Sequence, residues 1–240
     1  MREEIVNRLG EKIDYTYLEG DGAKRIVILG HGVTGNKDRP FLVLLSEQLA
    51  AAGIATLRFS FSGNGASGGD FVDSTISKEV DDLGSVLDAL AGYEICYVGH
   101  SMGGAVGVIR ASEDDRIQYL ISLAGMVHTK AFAEREFGEV TPDAGTMWDD
   151  PDCPLSQAYM DDLSGIDTVV ERGSRIAVPW LLVHSSEDDV VPLQDSHDMF
   201  ARAHEPKQLV VIDGAGHVFS DDAAPQMVAV VMEWVKREMA

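Results

Sequence analysis

The segment Gly99-His100-Ser101-Met102-Gly103 has a serine at the centre of a G-x-S-x-G motif. It follows an apolar run typical of a strand and precedes a run predicted as a helix, which is where a nucleophilic serine on a sharp turn is expected. Glycines at Gly99 and Gly103 tolerate the close packing of such a turn. The Met102 N–H would lie at a helix N-terminus, directed at an anion forming beside Ser101. The motif therefore predicts Ser101 as a nucleophile and Met102 as a backbone oxyanion donor.

A serine hydroxyl becomes an effective nucleophile only when a base removes its proton. With this motif, an acid and then a histidine follow the serine along the chain. His217 is the favoured base because it lies on the Gly-rich loop 214–219, after the last predicted strand. His184 ends a strand, and His197 and His204 lie on or near a helix, so these three are the competing histidines.

Three adjacent carboxylates, Glu187, Asp188 and Asp189, follow the predicted strand 178–184. One of them is expected to hold the tautomer of the histidine and to stabilise its imidazolium form. All three follow the same strand, so this placement alone does not show which of them is the acid.

A second oxyanion donor is expected from the loop that follows an early strand. The sequence His31-Gly32-Val33-Thr34-Gly35 follows the predicted strand 26–30, and the Val33 N–H is the predicted donor. His31 is interpreted as a residue that braces this loop.

The segment 63–68 matches G-x-G-x-x-G after a strand, but a polar stretch separates it from the helix predicted to begin at Ile76. A dinucleotide site needs the helix to open at the glycines, so no nucleotide cofactor is expected. The seven histidines show no H-E-x-x-H spacing, and no C-x-x-C pair is present, so no metal site is predicted. The serine chemistry itself requires no cofactor.

Short apolar runs alternate with amphipathic stretches, which predicts an α/β fold with a mostly parallel central sheet flanked by helices. The whole chain, 1–240, is expected to be one domain. The predicted strands are 26–30, 54–59, 94–98, 117–124, 178–184 and 208–212. The predicted helices are 41–52, 76–91, 105–111, 193–203 and 225–239.

About fifty residues between Gly125 and Val178 interrupt this alternation. A loop of that length without structure is improbable in a compact domain, so 128–177 is predicted to be a small inserted cap after the sixth strand. The residues predicted to line a substrate pocket beneath it are Met147, Trp148, Tyr159 and Met160. Core packing within the cap is the alternative interpretation for each of them.

The 240 residues contain 40 acidic and 19 basic side chains, a formal net charge of −21. Such a charge disfavours nucleic acid and anionic membranes as partners, and it indicates either solubility or adaptation to a salty cytosol. Cys96 and Cys153 are too few to form a disulfide framework. No signal-like or membrane-spanning apolar run is evident, so a cytoplasmic location is expected. The sequence specifies no oligomeric state and leaves a homodimer open.

With these residues placed, the chain resembles the α/β-hydrolase superfamily over essentially its full length. More narrowly, it resembles bacterial feruloyl (cinnamoyl) esterases. The matching segments are 31–36, 57–71, the motif 99–103 and 217–220. The resemblance implies a triad of Ser101, Asp188 and His217, because the acid usually lies four residues before the proline that is Pro192 here. Asp189 is the second candidate, and Glu187 is interpreted as a solvated charge.

The chain departs from the feruloyl esterase pattern at three positions. Val33 replaces a frequent aromatic residue, and Ser60 and Asn64 replace an aspartate and a histidine of the usual Phe-Asp-x-x-Gly-His-Gly segment. These positions brace the fold and the rim of the pocket, so the departures weaken the prediction of an aromatic substrate more than that of a hydrolase.

The expected function is hydrolysis of small short-to-medium acyl or hydroxycinnamoyl esters through an acyl-enzyme. A thioesterase, a small peptidase and a perhydrolase are enzymatic alternatives with the same triad, and a non-catalytic binding protein of the same fold is the alternative from another class. A dehalogenase or epoxide hydrolase is disfavoured because those enzymes need a carboxylate where Ser101 stands.

Overall fold

Nine strands alternate with seven α-helices in a computed structural model that describes residues 4–220 and 222–239. The strands are β1 (Ile5–Val6), β2 (Lys12–Ile13), β3 (Tyr15–Leu18), β4 (Arg25–Gly30), β5 (Ala55–Phe59), β6 (Glu94–His100), β7 (Ile117–Leu123), β8 (Trp180–Ser185) and β9 (Lys207–Ile212). The helices are α1 (Pro40–Ala51), α2 (Ile76–Ala89), α3 (Met102–Ala111), α4 (Thr129–Phe137), α5 (Gln157–Ile166), α6 (Leu193–Arg202) and α7 (Ala223–Glu238).

The main sheet has seven strands in the order β3-β5-β4-β6-β7-β8-β9. All neighbouring pairs are parallel except β3 with β5, which confirms the predicted mostly parallel sheet. The central strands are buried on both faces, so both alternating sets of side chains are apolar, as in Ile26, Val27, Ile28 and Leu29. This is why their apolar runs are continuous and easily recognised in the sequence.

Helices cover both faces of the sheet and divide the core into two apolar clusters. One cluster joins α2 and α3 to the segment between β7 and β8. The other joins α1 and α7 to the opposite face of the central strands. The parallel strands bring their carboxyl ends to one edge of this sandwich, where loops that carry polar side chains meet.

The N-terminal segment holds three strands that the sequence patterns did not predict. β1 and β2 form a separate antiparallel pair, and β3 runs antiparallel to β5 at the sheet edge, with Tyr15 opposite Phe59. All four residues of β3 are partly exposed, so the strand lacks a clear alternation of buried and exposed positions. The insertion follows β7, the seventh strand along the chain, whereas the prediction placed it after the sixth.

The insertion between β7 and β8 contains α4, α5 and two short 3₁₀ segments, Met147–Asp149 and Val170–Arg175. Phe137 and Leu163 are among its side chains that enter the same apolar cluster as α2 and α3. The two helices also pack against each other. The insertion is thus attached to the rest of the domain by a shared apolar interior.

Cys96 and Cys153 are both buried and free. Across 4–220 and 222–239, no helix is both long enough and apolar enough to span a bilayer. Within the same residues, no cluster of three or more His, Cys, Asp or Glu side chains is arranged to hold a metal ion.

Candidate active site

Ser101 lies between the end of β6 and the start of α3, on a strained turn. Its backbone has φ 54° and ψ −119°, a left-handed conformation that is costly for a residue with a side chain. A Cβ atom at Gly99 would lie 2.1 Å from the carbonyl oxygen of Gly103, so only glycine fits before the serine. The surrounding hydrogen bonds hold the turn, since Ser101 N donates to Leu123 O at 3.0 Å and Ser101 O accepts from Met126 N at 2.9 Å.

His217 lies on the loop between β9 and α7 and contacts the carboxylate of Asp188. Its Nδ1 is 2.8 Å from Asp188 Oδ2 and 3.1 Å from Oδ1. His217 and Ser101 line the same cavity. The structure therefore brings together the three residues that the sequence analysis singled out.

Asp188 is held on the loop after β8 by several donors. Its Oδ1 accepts from the backbone N–H groups of Val190 and Val191 at 2.9 and 2.8 Å. The side chain has no exposed surface, and His184 Nε2 lies 3.4 Å from Oδ2. Burial alone would raise the pKa of this carboxyl, but the hydrogen bonds from His184 and His217 outweigh it and lower the pKa below its ordinary value. Asp188 is therefore ionised beside His217.

Glu187 and Asp189, the neighbouring carboxylates, have exposed side chains. Neither hydrogen-bonds to His217, in contrast to Asp188. The backbone turn that follows β8 explains the difference, because it directs only one of three consecutive side chains into the protein.

The loop that follows β4 approaches Ser101 closely. A Cβ atom at Gly32 would lie 2.7 Å from Ser101 Cβ and 3.1 Å from its Oγ, so glycine is required here. His31 braces the loop: its Nε2 accepts from Phe61 N at 3.0 Å, and Nδ1 donates to Gly32 O at 2.9 Å. Burial lowers the pKa of His31 to about 4, so the imidazole is neutral.

Val33 and Met102, the two predicted oxyanion donors, lie on two separate segments near the serine. Val33 follows Gly32 and lines the cavity. Its N–H is used in no backbone hydrogen bond among the described residues. Met102 is the first residue of α3, and the N–H groups of a first helical turn have no partner within the helix. Both N–H groups are thus available to an oxygen bound beside Ser101.

A cavity of about 260 Å³ opens onto Ser101 and His217. Its other side chains are mostly apolar, and the residues of the described chain that line it include no aspartate or glutamate. The lining comprises Gly32, Val33, Thr34, Gly35, Arg39, Phe41, His100, Ser101, Trp148, Val190, His217 and Val218.

The structure places the four predicted pocket residues in different surroundings. Trp148 lines the cavity and keeps 44 % of its surface exposed. Met147 and Tyr159 are both 2 % exposed and belong to the apolar core, and Met160 packs against that core. The expected lining is therefore corrected for these three residues: none of them lines the cavity, and they pack in or against the apolar core, in agreement with the alternative interpretation.

Three of the other histidines make contacts of their own. His184 is fully buried and bonds Ser196 Oγ at 2.7 Å and Val191 O at 2.9 Å. His204 bonds the carbonyl of Ser174, outside the cavity. His100, the variable residue of the motif, donates from Nε2 to His217 O at 3.0 Å. No sequence pattern predicts this last contact, because it depends on how two distant loops meet.

Arg39, Phe41 and Val218 also line the cavity, and the sequence analysis did not predict them. Arg39 and Phe41 flank the start of α1, and Val218 follows His217. Their types are ordinary for a helix start and a loop, so only the tertiary arrangement distinguishes them.

Among solved structures, the chain is similar to Est1E from Butyrivibrio proteoclasticus with ferulic acid bound, with a TM-score of 0.88 and 26% identity over 99% of both chains. It is also similar in fold to the esterase domain of a Rhodothermus marinus protein, with a TM-score of 0.78 and 21% identity, over 99% of this chain and 98% of that one. These similarities confirm the predicted α/β-hydrolase fold.

Among curated sequences, the uncharacterized protein Rv2307c of Mycobacterium tuberculosis is 27% identical over 200 residues. The match covers 82% of this chain and 64% of that protein, so the chain spans slightly less than two thirds of this relative. The uncharacterized protein YfhR of Escherichia coli is 25% identical over 213 residues, which are 84% of this chain and 66% of YfhR.

Residues 45–240 match the prolyl oligopeptidase family, Peptidase_S9. This range contains the serine turn, the loop after β8 and the loop before α7. With the fold of an α/β-hydrolase and a family match over most of its length, the chain belongs to the prolyl oligopeptidase family.

Proposed function

We propose that the protein is a serine carboxylic-ester hydrolase whose triad is Ser101, His217 and Asp188. The observation that carries this proposal is the 2.8 Å contact between His217 Nδ1 and Asp188 Oδ2 next to a cavity that Ser101 shares. With Nδ1 engaged by a carboxylate, Nε2 is left as the nitrogen that accepts a proton from the serine. The ionised Asp188 then stabilises the imidazolium form of His217.

The reaction proceeds in two acyl-transfer steps. Ser101 Oγ attacks the ester carbonyl carbon while its proton passes to His217 Nε2. The oxyanion of the tetrahedral intermediate accepts hydrogen bonds from the N–H groups of Val33 and Met102. The carbon–oxygen bond to the alcohol breaks, and the alcohol leaves with the proton from His217. Water then repeats the sequence on the acyl-enzyme, releasing the acid and restoring Ser101.

The lining of the cavity supports small esters with apolar or aromatic acyl groups as substrates. Phe41 and Trp148 supply aromatic surface, and Val33, Val190 and Val218 supply aliphatic surface. Est1E, which is similar over 99% of this chain, has ferulic acid bound. We therefore infer short-to-medium acyl esters as substrates, with hydroxycinnamoyl esters among them. The insertion 128–177 acts as a cap that contributes Trp148 to the pocket.

A small peptidase is the second candidate, because the family match is to prolyl oligopeptidases. Hydrolysis from a peptide N-terminus would need a group that binds an ammonium ion, and a carboxylate is the usual one. None of the described residues that line the cavity is an aspartate or glutamate. Hydrolysis from a free N-terminus is therefore disfavoured, and p-nitrophenyl butanoate should be cleaved far faster than the p-nitroanilide of an amino acid.

The proposal is tested by fluorophosphonate labelling and by kcat on p-nitrophenyl butanoate. Wild-type protein should label, whereas Ser101→Ala should not label and should lose at least about 10³-fold in kcat while remaining folded. Ser174→Ala is the matched control, since Ser174 is exposed and outside the cavity. Wild-type protein that neither labels nor hydrolyses any ester would leave a non-catalytic binding protein instead.

A further inference from the structure

Arg39 brings a positive charge into the candidate active site of a strongly acidic protein. Its guanidinium lies half-buried in the lining of the cavity that contains Ser101 and His217. The chain carries 40 acidic side chains against 19 basic ones. Even so, the described lining contains no carboxylate, and Arg39 is its one side chain with a permanent charge.

The guanidinium is held in place without being neutralised. Its Nη2 donates to the carbonyl oxygen of Thr34 at 3.1 Å, on the same loop as Val33. Within 4–220 and 222–239, no carboxylate forms an ion pair with Arg39, whereas nearby Lys37 and Arg58 both pair with Asp38. An arginine presents five N–H donors, so most of its hydrogen-bonding capacity remains for a ligand.

The positive field of Arg39 extends to the catalytic region. Burial lowers the pKa of His100 to about 3, and the charge of Arg39 acts in the same direction. Arg39 also precedes α1, whose first turn contains no acidic residue and whose N-terminus has no side-chain cap. The positive end of the helix dipole therefore adds to the guanidinium charge.

A second cavity of about 420 Å³ adjoins the first at Arg39. It shares Arg39, Phe41 and Val218 with the cavity at Ser101. Its remaining lining, which includes Leu44 and Phe219, is largely apolar, and the described lining again contains no carboxylate. Two largely apolar cavities that share one guanidinium without an ion-pair partner suit a ligand that has an apolar body and one anionic group.

We propose that the natural substrate is an ester that carries a carboxylate, and that Arg39 binds this carboxylate and determines specificity. This inference rests on the proposed ester hydrolase function. The guanidinium is planar and can bind a carboxylate through two parallel N–H···O hydrogen bonds, which a lysine cannot reproduce. The carboxylate belongs either to the acyl part or to the alcohol part of the ester, since Arg39 lines both cavities.

The test compares each charged ester with a neutral analogue of the same shape. The first pair is the mono-p-nitrophenyl ester of glutaric acid and the ester in which an isopropyl group replaces its carboxylate. The second pair is p-carboxyphenyl butanoate and p-isopropylphenyl butanoate. The first pair carries the charge in the acyl part and the second in the alcohol. The measured quantity is the ratio of kcat/KM for the charged ester to that for its neutral analogue.

Wild-type protein should prefer the charged ester in one of the two pairs, and added KCl should reduce that preference. Arg39→Gln should lower the ratio at least about tenfold in that pair, and Arg39→Lys should restore it only in part. The ratio compares two esters on one variant. A general disturbance of the loop lowers kcat/KM for both esters and therefore cancels from the ratio. Arg175→Gln removes the same charge from an exposed position outside both cavities and should leave the ratio unchanged.

Binding to Ser101→Ala protein separates this proposal from the proposed chemistry. Calorimetric titration with p-carboxyphenyl butanoate and with the half-ester of glutaric acid reports affinity without turnover. Introducing Arg39→Gln into the Ser101→Ala protein should weaken the binding of the preferred charged ester at least about tenfold. If both ratios and both affinities are the same with and without Arg39, the proposal is overturned even if esters are hydrolysed. If no ester is hydrolysed but the affinities depend on Arg39, only the catalytic function fails.

Discussion

The imidazole of His100 donates from Nε2 to the backbone carbonyl oxygen of His217 at a distance of 3.0 Å. Their ring centroids are 4.8 Å apart, and His100 is buried against Phe41 and Phe219. The residue that precedes the proposed nucleophile thus holds the loop that carries the proposed base. Since burial lowers the pKa of His100 to about 3, this imidazole is neutral at pH 7.

Replacing His100 should therefore impair catalysis through the position of His217. His100→Phe fits the apolar surroundings but removes the donor, so we expect kcat to fall about tenfold with little change in KM. His100→Gln retains an N–H donor and should recover part of the loss. The measurements are kcat and KM for p-nitrophenyl butanoate, with circular dichroism as the check on folding. Equal kcat values for wild type and His100→Phe would contradict the positioning role.

Asp188→Asn should be far more damaging than Asp189→Asn. An amide in place of the Asp188 carboxylate would no longer stabilise the imidazolium form of His217, and a loss of about 10³- to 10⁴-fold in kcat is expected. Asp189 is exposed and makes no bond to His217, so its change should have less than about a twofold effect. The two variants carry the same change in charge, and comparison of their kcat values on one ester decides which carboxylate acts.

Acid should destabilise the protein through two of its buried histidines, His31 and His100. Burial lowers the pKa of His31 to about 4 and that of His100 to about 3, against an ordinary value of 6.5. Their contribution to the free energy of unfolding is complete above about pH 6.5 and is lost as pH falls toward the folded-state pKa values. The unfolded chain then binds protons that the folded protein cannot bind, at about 1.4 kcal/mol per group and per pH unit.

Other groups change the stability with pH in the opposite direction. The prediction therefore concerns the difference between a variant and the wild-type protein. Burial raises the pKa of Glu79, so that its contribution to stability is lost as pH rises. The acidic surface also loses self-repulsion in acid. Comparing His100→Phe with wild type cancels both effects. In urea unfolding between pH 7 and 4.5, the free energy of unfolding of the variant should fall less steeply with acid than that of the wild type. Identical pH dependences would refute the role of His100 in the acid loss.

Trp148 and Met147 are neighbours with opposite environments, so they form a matched pair. Trp148 lines the cavity and is 44 % exposed, whereas Met147 is 2 % exposed in the core. Trp148→Ala should raise KM or change the preference among acyl groups with little loss of stability. Met147→Ala should lower the free energy of unfolding by about 2–5 kcal/mol and leave the preference unchanged. Kinetics on butanoate and ferulate esters, together with urea unfolding, measure both effects.

The central sheet could be predicted from the sequence because its strands are covered on both faces. Continuous apolar runs such as those of β4 and β6 are typical of buried parallel strands in a chain where they alternate with amphipathic segments. The edge strand β3 could not be predicted because its four residues are all partly exposed, so the strand lacks a clear alternation of buried and exposed positions. Its position depends on pairing with β5, about forty residues away, and no local pattern encodes that pairing.

The residues that surround Ser101 were predictable to different degrees. The serine turn imposes local requirements, such as glycine at position 99, and these are visible in the sequence. Local sequence does not determine which side chains face the cavity. Trp148 and Met147 are adjacent in one 3₁₀ segment, yet Trp148 has φ 48° and its side chain lies in the cavity lining while Met147 is in the core. The place of Arg39 in the lining was unpredictable for the same reason.

The continuity between the insertion and the core limits how substrate access can be altered by evolution or by engineering. Phe132, Phe137 and Leu163 belong to the same apolar cluster as α2 and α3, so an insertion taken from a relative would have to repack this shared interior without cavities or clashes. The turn Met147–Asp149 is a better target, because Trp148 reaches the cavity from a surface position. New specificities are therefore expected to arise by single substitutions on this turn more readily than by exchange of the segment.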